Sequence, residues 1–109
     1  GAICAKLLPL VMESNLKALE SRHAGHVAIG RYIEIARMVT ENDSASAWDG
    51  VQWVSDLVRE LNIPPLSAHG MTEADIPEAV QKTLNASSYK GNPIPLSEGE
   101  LREILEKAL

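Results

Sequence analysis

From Ala2 to Met12 only Lys6 and Pro9 break a run of apolar residues, and beyond it Leu16 and Leu19 continue at helical spacing. A helix that is apolar on nearly every side must be covered on several flanks, so the pattern predicts a central buried helix over Ala2–Leu19 with the other elements packed around it. The run falls well short of the ~20 apolar residues a bilayer span requires and carries Lys6 inside it, which argues against a membrane segment. It lacks the basic leader and the small-residue cleavage pattern expected of a signal peptide. The chain opens on Gly1 with no polar cap, which leaves the first helical N–H groups unpaired. The expectation is a fragment of a longer parent, whose upstream residues cap this helix or place an anion or metal ligand there.

Its 109 residues suffice for one hydrophobic core but not for a nucleotide-binding domain and a second domain together. The net charge of −5, with ten Lys and Arg dispersed among fifteen Asp and Glu, argues against phosphate-backbone binding, so no nucleic-acid partner is expected. One cysteine, Cys4, excludes an internal disulfide and a Cys-based zinc site. Its place in the apolar run predicts a buried thiol in a cytoplasmic protein. With no Phe and few other aromatics, the core must be built from Leu, Ile, Val and Ala, and strand signals are poor.

Pro9 removes one N–H from the first helix but lies close enough to its start for the helix to continue through it. Polar residues and a glycine end it at Ser21–Gly25. A second helix follows from about Val27 to Thr40, burying Ile29, Tyr32, Ile33, Ile35, Ala36 and Val39; Gly30 in its first turn suggests a close packing contact. Ser44 or Ser46 can cap a third helix reaching about Leu61, with a buried stripe of Trp48, Val51, Val54, Leu57, Val58 and Leu61 and Trp53 at its edge. Pro64 and Pro65 stop it. Thr72 and Asp75 have capping-box spacing, and Pro77 suits the first turn of a fourth helix to about Ala86 that buries Ile76, Val80 and Leu84. Ser87–Leu96, with Gly91, Pro93 and Pro95, reads as an extended irregular stretch whose polar groups could line a cleft. Ser97 and Glu100 form a second capping box opening a last helix with Leu101, Ile104, Leu105 and Leu109 on one face. The predicted fold class is therefore all-α, a single-domain bundle of about five helices around a hydrophobic N-terminal helix.

No catalytic constellation stands out among these residues. His23 and His26, three apart, could share a helical turn and bind a divalent cation, but no acidic partner lies at ligand spacing and a solvated helix end explains them. His69 stands alone before Gly70, the carboxylates read as helix-face and capping residues, and Cys4 without a nearby histidine is no nucleophile. Neither catalytic nor metal-ligating residues are assigned from spacing.

The run Gly1-x-x-x-Ala5-x-x-Leu8-Pro9, then Val11-Met12 and Asn15, resembles the helix that opens the C-terminal half of the iron-containing alcohol dehydrogenases, the group III metal-dependent family. Tyr32 with Ile35-Ala36, Ile63-Pro64, Leu66, Gly70, Asp75-Ile76-Pro77 and Asn92-Pro93 extend the resemblance in order along the chain. It implies residues 1–109 as an all-helical C-terminal domain. The parent would carry an N-terminal dinucleotide-binding domain, NAD(P) and a divalent metal, iron or zinc, with an alcohol or carbonyl substrate in the cleft between the domains. By that resemblance a histidine ligand stands just before the position of Gly1 and the aspartate and two further histidines lie upstream, so this chain holds no metal and no cofactor by itself and is inactive alone. Ser87, Ser88, Tyr89, Lys90 and Asn92 are implied to line the nicotinamide side of the cleft, with Ser88 where some relatives carry a cysteine. The N-terminal domain is the implied partner, a homo-oligomer is possible on the same grounds, and the competing expectation is a free-standing helical interaction or scaffold module.

Overall fold

The computed structural model describes residues 1–109 and contains five α-helices and no strand. They are α1 (Ala2–Arg22), α2 (Val27–Thr40), α3 (Ala47–Glu60), α4 (Ile76–Asn85) and α5 (Glu98–Ala108), with short 3₁₀ turns at Leu66–His69, Glu73–Asp75 and Ser87–Gly91. The helix starts follow local chemistry. Ser46 with Asp49 and Ser97 with Glu100 each form a reciprocal capping box that satisfies two otherwise orphaned donors, and at the corresponding Thr72–Asp75 pair the Asp75 carboxylate accepts from both the Thr72 N–H and its hydroxyl. His26 caps α2 by a different route, its Nδ1 accepting the Ala28 N–H at 3.0 Å. Chain reversals occupy left-handed backbone at Glu41, Asn62 and Gly70. α1 runs unbroken through Pro9, and Pro77 sits in the first turn of α4.

α1 packs against α2, α3 and α5, while α2 pairs with α3 and α4 with α5. The main core joins Ala18 and Leu19 of α1 to Ile76 and Val80 of α4, Ile94 and Leu96 of the connecting segment, and Leu101 and Ile104 of α5. A smaller cluster sets Leu16 of α1 against Ala47 and Val51 of α3. Nothing within α1 marks this division, because each half of the helix is buried only where a neighbour reaches it.

Several expectations are corrected here. The apolar run is not the buried centre. Ile3 is 45% and Leu8 50% exposed, and Cys4 is exposed as well, whereas Asn15, Leu16, Ala18 and Leu19 are buried. α1 is the hub through its second half. Of the stripe expected on α3, Val51 is buried and Val54 and Val58 are half-buried, while Trp48, Leu57 and Leu61 are exposed, as are Trp53 at its edge and Ile35 of α2. α2 and α3 bury their apolar faces against each other and α1, and three helices in this arrangement leave the outer edge uncovered. Gly30 meets no atom within 4 Å; the close approach belongs to Gly50, where a Cβ would lie 2.8 Å from the Ala36 Cβ and 2.9 Å from its Cα. Ser87–Gly91 is a 3₁₀ turn rather than extended chain, since both prolines lie beyond it.

Candidate functional site

The C-terminal end of α4, the segment Ser87–Leu96, the N-terminal half of α1 and the inner face of α5 enclose an open groove of about 500 Å³. Its floor is aliphatic, formed by Leu7 and Val11 of α1 and Leu101, Ile104 and Leu105 of α5. Its rim carries Thr83, Ser88, Tyr89 and Asn92. No Asp, Glu, Lys, Arg, His or Cys side chain lines it. Such a site can shape, orient and dehydrate an uncharged ligand surface, but it contains no group able to act as general acid or base near neutral pH.

The segment owes its shape to two side chains. The Tyr89 hydroxyl accepts the Leu96 N–H at 2.6 Å and donates to the Leu96 carbonyl at 2.8 Å, closing the stretch upon itself. Asn92 donates through Nδ2 to the Ile94 carbonyl at 2.6 Å and to Asn15 Oδ1 at 2.8 Å, while Asn15 Nδ2 donates to Asn92 Oδ1 at 3.0 Å. Backbone bonds from the Tyr89 N–H to the Ala86 carbonyl and from the Asn92 N–H to the Tyr89 carbonyl complete the turn. Of the five residues implied by the family resemblance, the structure therefore brings Ser88, Tyr89 and Asn92 to the groove. The polar atoms of Tyr89 and Asn92 are engaged within the protein, and Ser88 is exposed. Ser87 and Lys90 are exposed on the outer side of the turn and do not line the groove. Asn15 was missed as a site residue. Its signal in the sequence was a lone amide at i+4 and i+8 from Val11 and Leu7, where an apolar residue would be expected.

The mouth of the segment is clamped by α1's last residue. Arg22 makes a two-pronged contact with the Glu100 carboxylate, with both N···O distances at 3.1 Å, and donates to the Pro95 carbonyl at 2.8 Å. Partial burial pushes the Glu100 carboxyl up, but the Arg22 guanidinium and the Ser97 N–H and hydroxyl together outweigh it and hold the group below its ordinary value.

A second cleft, of about 450 Å³, is edged by Lys6, Arg59 and Lys107. Arg59 pairs with Asp56 at 2.6 Å, and Lys107 with Glu103 at 3.1 Å and Glu13 at 3.6 Å, so most of its positive charge is already answered. The Glu103 contact is the main reason the Lys107 ammonium titrates above its ordinary value.

The chain's own residues do not fit a catalytic metal. No three His, Cys, Asp or Glu side chains converge, His23 and His26 stand edge to face with centroids 5.1 Å apart, and His26 Nδ1 is already committed as a helix cap. No helix is long and apolar enough to cross a membrane.

A five-helix domain with an uncharged, aliphatic-floored groove between its first and last helices belongs to the class of helical domains that can wall a ligand. Comparison with known proteins gives that class a family. The profile of the Fe-containing alcohol dehydrogenase family, C-terminal, matches residues 1–109, and the chain belongs to that family. It is 29% identical over 98 residues to a protein of Bacillus subtilis (strain 168) named choline dehydrogenase, an alignment covering 90% of this chain and 23% of that relative. The chain thus spans about a quarter of the length of that relative. No solved structure matches it.

Proposed function

We propose that this chain is the C-terminal helical part of an NAD(P)-dependent, metal-dependent alcohol dehydrogenase and works against an N-terminal dinucleotide-binding domain. The reaction is hydride transfer between the nicotinamide and an alcohol or carbonyl carbon. The family match along all of residues 1–109 is the observation that carries this reading. In it, Ser88 and the backbone at Gly91 face the nicotinamide side of the cleft, and Leu7, Val11 and Leu105 form the apolar wall that keeps water out. The cofactor supplies the hydride chemistry and this domain supplies position and a dry surface. The metal, iron or zinc, is held by residues outside this sequence, so the chain is inactive alone. A cytoplasmic setting accords with its single free thiol, and the exposed Ile35, Met38 and Trp53 accord with a homo-oligomeric parent.

The test is NAD(P)H formation from simple alcohols with Fe²⁺ or Zn²⁺ present, first with the purified chain and then with the N-terminal half of the parent supplied. Turnover is expected only in the second case. Chelator-sensitive turnover by the chain alone, or none with both halves present and metal retained, would overturn the reading.

A further inference from the structure

Asn15 is 3% exposed and is the single polar side chain among the buried residues. Burying an amide where an aliphatic residue would pack is unfavourable unless its bonds are met, and a fully met pair fixes geometry in a way that apolar contacts do not. Here they are met by a residue seventy-seven positions away. Asn15 and Asn92 exchange two hydrogen bonds, at 3.0 and 2.8 Å, and Asn15 Nδ2 also lies 3.4 Å from the Tyr32 hydroxyl. On α1 the residues Leu7, Val11 and Asn15 are spaced by four, so they form one row along the helix. The first two line the groove, and the third ends the row by gripping the opposite wall. Further along, the segment is held by the Tyr89 hydroxyl on Leu96, by Arg22 on the Pro95 carbonyl and by Ile94 and Leu96 in the main core, so the Asn15–Asn92 pair is the side-chain hydrogen bonding that ties its Ser88–Asn92 part to α1.

We infer that Asn15 is a positioning residue for the groove: its amide pair with Asn92 sets the gap between α1 and the Ser88–Asn92 wall, and so how closely that wall meets a bound ligand. The pin itself follows from the hydrogen bonds; its bearing on cofactor binding rests on the proposed function.

The two parts are tested separately. On the chain itself, amide exchange at Tyr89 and Asn92 is compared with exchange in α5 for Asn15→Ala, Asn92→Ala and the double variant. Each single change is expected to speed exchange of those two amides about tenfold while α5 stays protected, and the double variant to be no faster than the faster single. Single effects that multiply in the double variant, or unchanged exchange in Asn92→Ala, would sink the pin. Asn92 is only half-buried, so its variant decides the matter if Asn15→Ala unfolds.

With the N-terminal half supplied, Asn92→Ala is expected to raise KM for NAD(P)⁺ about fivefold with kcat within about twofold. Loss of kcat in step with the folded fraction, at constant KM, would reduce the pair to a purely structural role. If the wild-type assembly shows no turnover at all, the enzyme reading fails while the exchange data still decide the pin.

Discussion

Residues Ala2–Met12 and Glu13–Arg22 belong to one continuous helix, yet the first half is the more apolar and the second the more buried. The second half is clasped from two sides, by Ala47 and Val51 at Leu16, and by Ile94, Leu96, Leu101 and Ile104 around Ala18 and Leu19. In the first half only Pro9 is buried, beside a cleft shared with α3, and α5 and the groove lie along another side, while Ile3, Cys4 and Leu8 remain exposed. Apolar composition reports that a surface needs a cover, and only neighbours in space decide whether this chain supplies it.

The contrast can be broken most directly at Leu19, which has no exposed surface. Leu19→Ala is expected to cost about 2–5 kcal/mol in a denaturant titration, the range for truncating a well-packed leucine. A loss similar to that of an exposed site would show the second half to be loosely held. The clasp on the Leu16 side depends on the approach of α2 to α3 at Gly50. Adding a methyl there in Gly50→Ala forces it to within 2.8 Å of Ala36, and a loss of about 1–3 kcal/mol is expected. Gly30→Ala, in open space, should be neutral or stabilising by up to about 1 kcal/mol; equal effects at the two glycines would mean the helices are not in that contact.

In the first half, Leu8→Ala is expected to cost about 1 kcal/mol or less, because half the residue already faces solvent. The apolar run by itself predicts a loss of about 2–5 kcal/mol there, so a large loss would restore the buried-hub reading of Ala2–Met12. The smallest effect is electrostatic. Glu100 has its native pKa lowered from 4.5, so the stability it contributes is present above the unfolded value and is lost as pH falls through the native one. Thermal melts of Glu100→Gln should accordingly show a weaker fall in Tm across that acidic window than the wild type. An unchanged acid slope would detach Arg22 and Glu100 from stability.

The helices themselves were legible because their signals are local. Ser97 with Glu100, Thr72 with Asp75, the Pro64-Pro65 stop and the periodic apolar positions of α4 and α5 each act within a turn or two of chain, and the structure contains all of them. The candidate segment was legible only as a loop with turn-forming residues. Which of its side chains reach the groove was not, because Tyr89 and Asn92 turn inward to partners at Leu96 and Asn15 that no local pattern links to them. The same reason separates Gly50 from Gly30. Both are helical glycines in the sequence, but the approach of α2 lies over one and solvent over the other. Sequence by itself determined where this chain turns helical, because backbone hydrogen bonds, caps and proline geometry are settled between near neighbours. Tertiary structure alone decided which half of α1 is buried, which glycine is indispensable and which amide holds the groove, because burial and long-range hydrogen bonds depend on surfaces that meet only after the helices have packed.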